Sequence, residues 1–188
     1  MLYADYIKPI VDFIIAVFLL WLLLPFFGIM IVVLWVLQGR PLFFNQQRAG
    51  KYGQPFKVFK FRSMAYDEAS ATMKVTPCGK VLRRFSLDEW PQLFNVLKGE
   101  MSLVGPRPLM TSYTPRLDGN QKKRLNVKPG ITGLTQISGA NLLSWEDKFR
   151  LDSKYAEEQS FFNDLKILLK TPAAICKRRD KGNPVANF

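Results

Sequence analysis

The sequence contains no histidine and only two cysteines, Cys78 and Cys176, which lie far apart. Without histidine, Ser-His-Asp and Cys-His catalysis and imidazole metal ligands are excluded. Because no CxxC pair occurs, we expect no zinc site, and the scarce cysteines favour a reduced cytosolic setting. The sequence also lacks Walker A and GxGxxG patterns. Acid–base chemistry would therefore fall to Asp, Glu, Lys, Tyr, Cys or water.

Positive charge is plentiful and unevenly distributed. The 188 residues include 27 Lys and Arg against 15 Asp and Glu, for a formal net charge of +12. Asp5 and Asp12 balance Lys8 and Arg40 within the first 40 residues, so the whole excess lies beyond them. Such a charge favours anionic lipid headgroups, phosphate-bearing substrates or nucleic acid, and does not choose among them.

Residues 13–37 form an uncharged apolar segment. As a helix, about 25 residues would rise about 37 Å, more than the roughly 30 Å of a bilayer hydrocarbon core. Pro25 lies almost at the centre, where it removes a backbone donor and kinks a helix. The segment therefore predicts membrane association with a break at Pro25.

Two membrane arrangements remain open from these residues. Each half of the segment, 13–24 and 26–37, would be only about 18 Å long as a helix, too short for a crossing. A re-entrant helix–break–helix would keep Lys8 and Arg40 on one side, whereas a kinked single crossing would separate them. The positive-inside rule places residues 41–188 in the cytosol in either case.

The remaining residues predict an α+β fold, a helix-rich cytosolic domain with a short β-hairpin. Alternating residues over 39–64 predict two strands joined by a Gly-rich turn at 49–53. Residues 65–80 are predicted to form a polar loop, and 81–101 a helix that ends at Gly99. Residues 145–178 are predicted to form one or two helices broken before Pro172. Residues 181–188 are expected to be a loose tail.

Asp88 and Glu89 are the most distinctive acidic pair. Ser86 and Glu89 match an S-x-x-E capping box, which gives the pair a purely structural explanation. Pro91 argues against that explanation, because its missing N–H would cost a bond in the first turns of the helix. We therefore favour a bend or entry turn at the pair. Other adjacent acids lie in polar stretches, whereas this pair has arginines and apolar residues around it: Arg83, Arg84, Arg107, Leu87, Trp90 and Leu93.

Two Pro/Gly-rich stretches suggest phosphate recognition. Arg107 lies between two prolines in "GPRPL", and its planar guanidinium suits phosphate oxygens, although a solvated surface arginine is the alternative. "KPGITG" over 128–133 offers backbone N–H groups that could bind an anion. Mg²⁺, which binds one or two carboxylates plus phosphate oxygens, is the natural cation for such a site.

Several ordered motifs resemble one known family. They are "LFFNQQRAG", "FKVFKFRSM", "SLDEWPQLFNVLKGEMSLVGPRPL", "VKPGITGLTQISG" and "SFFNDLKILLKT". From about Lys8 to Thr171 the sequence resembles the bacterial sugar transferase family, the monotopic polyprenyl-phosphate phosphoglycosyl transferases, and its compact length is similar to the small forms. The resemblance implies a membrane region over 1–40 and a catalytic domain over 41–180 at the cytosolic face of the bacterial inner membrane.

The resemblance also implies an activity. A sugar 1-phosphate would pass from a UDP-sugar, by analogy a modified N-acetylhexosamine, to undecaprenyl phosphate, with release of UMP. This would be a first membrane step of glycoconjugate or polysaccharide assembly. Asp88 matches the nucleophile of a ping-pong mechanism through an aspartyl phosphosugar, and Glu89 matches its partner in metal or proton handling. Lys60, Arg83, Arg107 and Asp164 match other positions of the family's active site.

The same resemblance implies Mg²⁺ held at Asp88 and Glu89, and a re-entrant membrane segment broken at Pro25. The expected partners are the two substrates and anionic lipids, with other glycan-assembly enzymes possible and no nucleic acid. Two rival functions remain, a membrane-anchored basic binding or scaffold protein without catalysis and a membrane-tethered nucleic-acid binder. Neither rival explains why an acidic pair and a "PRP" arginine occur together.

Overall fold

The computed structural model describes residues 2–67, 71–139 and 142–177, so the predicted tail at 181–188 lies outside the described residues. The predicted α+β class is confirmed, with helices predominating over short strands. The helices are α1 (Lys8–Gln38), α2 (Pro77–Arg84), α3 (Leu93–Leu97), α4 (Gly119–Lys122), α5 (Leu134–Ile137), α6 (Trp145–Glu157) and α7 (Phe161–Lys177). The strands are β1 (Phe43–Ala49), β2 (Pro55–Phe61), β3 (Met64–Asp67), β4 (Thr72–Val75), β5 (Ser102–Val104) and β6 (Gly130–Thr132).

Helix α1 is long and apolar enough to cross a membrane, and it continues from a π-helical turn at Tyr3–Ile7. Pro25 lies inside α1, so the break predicted there does not interrupt the helix. A proline withdraws only its own N–H from the hydrogen-bond ladder, and the apolar residues on both sides remain strong helix formers. Whether the segment re-enters the membrane stays a prediction.

One side of α1 packs against the rest of the chain along the whole length of the helix. Lys8 binds Asp164 near the start, Phe27 contacts Trp90 and Phe61 beyond the middle, and Gln38 accepts a hydrogen bond from Thr76 at the end. The other sides of α1 are apolar and exposed, including Phe18, Trp21, Leu24, Ile29 and Val36. An all-round apolar helix that is covered on one side only still needs an apolar environment for the rest of its surface.

The predicted hairpin is confirmed. Strands β1 and β2 pair antiparallel, with Arg48 opposite Phe56 and Phe44 opposite Lys60, and the connection contains Gly50 and Gly53. Because side chains alternate across a strand, Arg48 and Lys60 lie on the same face of this hairpin. That face is the one that approaches Asp88 and Glu89.

The predicted loop over 65–80 is wrong. Strands β3 and β4 form a second antiparallel hairpin, with Met64 opposite Val75, and α2 begins at Pro77 rather than at residue 81. The side chain of Thr76 accepts a hydrogen bond from the Gly79 N–H and so caps the start of α2. A Thr cap followed by Pro at the first helical position is a helix-start signal that the sequence contained.

The break predicted before Pro172 is also misplaced. Helix α6 ends at Glu157, α7 begins at Phe161, and Pro172 lies inside α7. The hydroxyl of Ser160 accepts a hydrogen bond from the Asn163 N–H at the start of α7. A polar cap therefore decides where the second helix begins, and the proline is accommodated within it.

The parallel pair β5–β6 brings the "GPRPL" and "KPGITG" loops together. The Gly105 N–H donates to Thr132 O, and the Gly130 N–H donates to Pro106 O. A Cβ added at Gly130 would lie 2.0 Å from the Gly105 nitrogen, so only glycine permits this approach. The "KPGITG" stretch suggested that its backbone N–H groups could bind an anion. The Gly130 N–H instead donates to the loop that contains Arg107.

Two apolar clusters make up the core. The larger includes Ala16 of α1 and Met101 just before β5, with residues from β2, α3, β5, α6 and α7: Phe56, Val58, Leu93, Val96, Leu103, Val104, Tyr155 and Ile167. The smaller joins α1 to the dyad region through Phe27, Leu34, Phe61 and Leu82. Since α1 contributes to both clusters, the helix is part of the folded domain and not an appendage to it.

Candidate active site

Asp88 and Glu89 lie in a short 3₁₀ helix, Leu87–Gln92, between α2 and α3. Ser86 before it has φ 56°, and its side chain makes no capping hydrogen bond. The capping-box explanation is therefore wrong, and the predicted bend at the pair is confirmed. Both carboxylates are buried, each residue being 7% exposed.

Glu89 is bound by two cations. Lys60 Nζ on β2 lies 2.9 Å from Oε1, and Arg107 Nη2 lies 2.6 Å from the same oxygen. Arg107 Nη1 reaches Oε2 at 3.4 Å, which completes a forked contact. Although burial opposes ionisation, Arg107 and Lys60 hold the pKa of Glu89 well below its usual range. Glu89 is thus a permanent anion that orients two cations at the site.

Asp88 has a contrasting environment. Within the described part of the chain, its carboxylate makes no hydrogen bond and no ion pair. Burial and then the neighbouring Glu89 raise the pKa of Asp88, while Lys60, Arg83 and Arg107 act in the opposite direction. A buried carboxylate without partners is costly for the fold and available for reaction. The surroundings therefore raise the pKa of Asp88 and lower the pKa of the adjacent Glu89.

Arg107 is held through its backbone. The buried Arg124 donates to the Arg107 carbonyl at 2.7 Å and to Asp152 at 2.7 Å. Thr135 donates to the other oxygen of Asp152 at 2.5 Å. The Arg107 side chain remains 45% exposed, so it can still reach a ligand while it binds Glu89. The alternative of a freely solvated surface arginine is therefore excluded.

The remaining predicted site residues divide between two places. Arg83 on α2 lies close enough to lower the pKa of Asp88, and its Nε donates to Ser63 at 2.9 Å. Asp164 lies in a separate cluster, where it binds Lys8 and accepts hydrogen bonds from Tyr3 and Tyr155. The structure thus brings Lys60, Arg83 and Arg107 to the dyad, and it places Asp164 at the start of α1.

Sequence reasoning missed two residues of the same cleft. Arg48 and Gln92 line it together with Lys60, Glu89 and Arg107. Gln92 is only one turn from the dyad, so its position was available from the spacing. The position of Arg48 depends on the hairpin register, which places it on the same face as Lys60. The "FNQQRAG" motif contained this arginine without indicating where its side chain would lie.

The described residues contain no group of three or more Cys, Asp or Glu side chains that could bind a metal ion by themselves. Asp88 offers a free carboxylate, whereas both oxygens of Glu89 are bound by cations. Mg²⁺ commonly combines one or two carboxylates with substrate phosphate oxygens. The residues therefore fit Mg²⁺ in the company of a phosphate-bearing substrate, with Asp88 as the protein ligand. Glu89 would first have to release a cation.

Comparison with known proteins identifies the family of this chain. The family described as bacterial sugar transferase matches residues 3–178. The sugar transferase EpsL of Bacillus subtilis is 45% identical over 88% of this chain and 85% of its own length. The exopolysaccharide production protein ExoY of Sinorhizobium fredii is 37% identical over 89% and 84%. The UDP-glucose:undecaprenyl-phosphate glucose-1-phosphate transferase of Klebsiella pneumoniae is 39% identical over 87% of this chain and 39% of its own length.

Proposed function

The chain belongs to the bacterial sugar transferase family, and we propose that it transfers a sugar 1-phosphate from a UDP-sugar to undecaprenyl phosphate with release of UMP. The observation that carries the proposal is the contrast within the acidic pair. Asp88 is buried and has no hydrogen-bond or ion-pair partner among the described residues, whereas the adjacent Glu89 binds Lys60 and Arg107. This arrangement offers one free nucleophile among fixed cations, as a phosphate-transfer site requires.

The reaction would proceed in two displacements. An Asp88 carboxylate oxygen attacks the β-phosphorus, an O–P bond forms, and the bridging P–O bond breaks with its electron pair passing to departing UMP. An oxygen of undecaprenyl phosphate then attacks the same phosphorus, and the Asp88 carboxylate leaves. Each displacement replaces one bond to phosphorus by another, so no oxidant or further reactant is needed. The enzyme is regenerated with both oxygens of Asp88 free.

The chain's own cations would stabilise the reacting charges. Lys60 and Arg107 already share Glu89, and Arg83 is held beside Asp88 by its bond to Ser63. Such preorganised groups act on phosphate charge without having to reorganise at the moment of reaction. Mg²⁺, when bound with the substrate at Asp88, would neutralise part of the diphosphate charge.

We also propose that α1 enters and leaves the membrane on the cytosolic side. Contacts with the domain at Lys8, at Phe27 and at Gln38 support this arrangement, because a perpendicular crossing would carry one end of the helix away from the domain. The exposed apolar side chains of α1 would contact lipid. Phe162 and Leu169 on α7 are exposed as well and would lie at the same surface. The basic domain would then lie against anionic headgroups of the bacterial inner membrane.

Release of UMP tests the activity directly. Purified protein with Mg²⁺ and undecaprenyl phosphate is offered UDP-N-acetylhexosamines, UDP-galactose and UDP-glucose. We expect one donor to give UMP and a lipid-linked sugar, and Asp88→Asn to abolish both by at least about 10³-fold. Asp147→Asn, which changes an exposed carboxylate on α6, is the matched control and should keep full activity. Persistent transfer by Asp88→Asn would refute the assignment, and indifference to every donor would favour a binding or scaffold protein.

The membrane arrangement has its own test. Cys78 and Cys176 are replaced by serine, and single cysteines are introduced at Leu2 and at Arg40. A membrane-impermeant maleimide is then applied to intact spheroplasts and to inverted vesicles. Re-entry predicts that both positions react in inverted vesicles only. Labelling of the Leu2 position in spheroplasts would establish a single crossing instead.

A further inference from the structure

A fourth cation accompanies the three that sequence reasoning found at the dyad. Arg48 is half-buried on β1 and lines the cleft with Lys60, Glu89 and Arg107. Its Nη2 donates to Gln46 Oε1 at 2.6 Å, and its Nη1 donates to Pro108 O at 3.4 Å. Both acceptors are neutral, and no carboxylate of the described residues lies within ion-pair distance of Arg48.

The charges around the cleft are unequal. Among the described residues, the two carboxylates Asp88 and Glu89 lie near four cations, Arg48, Lys60, Arg83 and Arg107. Glu89 already pairs with Lys60 and Arg107. Burial, and then repulsion from Arg107, lowers the pKa of Arg48. A partly desolvated cation next to like charges is unfavourable unless an anion joins it. The surplus of two cations over two carboxylates matches the charge of one phosphate group.

The position of Arg48 relative to Asp88 suggests which phosphate it binds. Arg48 lies close enough to Glu89 and Arg107 for their charges to act on its guanidinium, and it lines the cleft with Lys60. The cations that lower the pKa of Asp88 are Lys60, Arg83 and Arg107. The phosphorus that Asp88 attacks must lie next to Asp88. Arg48, which lines the cleft beside Glu89 and Arg107, is therefore available to the second phosphate of the reaction.

We propose that Arg48 binds the phosphate group that is not attacked by Asp88. This inference rests on the proposed function and adds a substrate-binding residue to the same site. The phosphate is either that of departing UMP or that of the undecaprenyl phosphate acceptor. The planar fork of an arginine binds either group through two N–H donors, and in doing so it would release Gln46 or Pro108.

Separate half-reactions distinguish the two phosphates. The first is UMP release from a UDP-sugar without acceptor, and the second is transfer from the preformed adduct to undecaprenyl phosphate. We expect Arg48→Gln to slow one of them at least tenfold and Arg48→Lys to restore part of the loss. An effect on the first identifies the donor phosphate, and an effect on the second identifies the acceptor phosphate. Arg150→Gln, at an exposed arginine on α6, is the control and should change neither.

Direct binding separates this inference from the proposed function. UMP and undecaprenyl phosphate are titrated separately into wild type and Arg48→Gln, and thermal midpoints are measured on the same samples. A tenfold weaker affinity for one of them at an unchanged midpoint supports the inference even if no transfer activity is found. Affinities and half-reactions within twofold of wild type would overturn it. Equal losses in Arg48→Gln and Arg48→Lys with a lowered midpoint would also overturn it, since Arg48 would then only support the Pro108 loop.

Discussion

Lys8 Nζ lies 2.5 Å from Asp164 Oδ2 although 156 residues separate them, and both side chains are almost fully buried. The pair joins the first turn of α1 to α7, and Tyr3 and Tyr155 complete the hydrogen bonds of the carboxylate. Asp164 therefore anchors α1 to the rest of the domain. It does not contribute to the cluster around Asp88.

Asp164→Ala tests this anchor. Removing Asp164 leaves the buried Lys8 with only Asp12 as a carboxylate partner among the described residues, at the longer distance of 3.7 Å. The expected cost is therefore up to about 3–5 kcal/mol, that of breaking a buried ion pair. We expect a large fall in the thermal midpoint of the protein in detergent or nanodiscs. Glu157→Ala is the control, because its pair with Lys123 is exposed and worth at most about 1 kcal/mol. Equal midpoints for the two variants would contradict the anchoring role.

Glu89→Gln should shift the acidic limb of the pH–activity profile. Glu89 raises the pKa of Asp88, and it also pairs with Lys60 and Arg107, two of the three cations that lower that pKa. Removing this charge lowers the pKa of Asp88, so the nucleophile stays ionised to a lower pH. The measurement is the pH dependence of kcat/KM for the UMP release that the variant retains. A limb that stays in place or moves to higher pH would refute this electrostatic coupling.

Asp88→Asn should lose activity without losing stability. Burial and Glu89 raise the pKa of Asp88, so its ionised form weakens the fold at pH values above that pKa. The neutral variant should therefore have an equal or higher thermal midpoint at pH 7.5. The difference should shrink as the pH falls below the raised pKa of Asp88, where wild type becomes protonated, and disappear below the ordinary pKa of an aspartate. A clearly lower midpoint at pH 7.5 would show that Asp88 has a structural role.

Gly130→Ala should disrupt the loop of Arg107. The added Cβ would lie 2.0 Å from the Gly105 nitrogen and 2.5 Å from Thr132 O, and backbone atoms cannot rotate away. We expect a loss of at least about 1–3 kcal/mol in the free energy of unfolding, together with reduced UMP release. Gly119→Ala is the control, since nothing lies within 4 Å of its added Cβ. Tolerance of both substitutions would contradict the close approach of the two loops.

Local patterns predicted several parts of this fold correctly. The β1–β2 hairpin followed from alternation around a Gly-rich turn, and the bend at Asp88 followed from Pro91. The second hairpin was missed because Met64–Asp67 and Thr72–Val75 have only 4 residues each, too few for a strand pattern to stand out from the polar residues around them. The division between α6 and α7 was misplaced because Pro172 was given more weight than the cap at Ser160.

The residues of the candidate site could be predicted from the sequence only in part, for a different reason. The neighbours of Asp88 in sequence, Arg83 and Glu89, were found from spacing. Arg107 was found from its place between two prolines, and Lys60 came from the family resemblance. Arg48 and Arg124 act through contacts that depend on strand register and on loop packing across 60 and 17 residues. A single sequence shows neither relationship, because nothing local distinguishes these arginines from the other cations of the chain.

Covalent modification of Asp88 in the presence of the UDP-sugar donor is the most direct test of the central claim. Enzyme is incubated with the accepted UDP-sugar and Mg²⁺ without undecaprenyl phosphate, quenched, digested and analysed by mass spectrometry. The account predicts one sugar phosphate esterified to Asp88, formed with one equivalent of UMP and lost when undecaprenyl phosphate is added. An adduct on another residue, or product formation with no adduct at any stage, would contradict it.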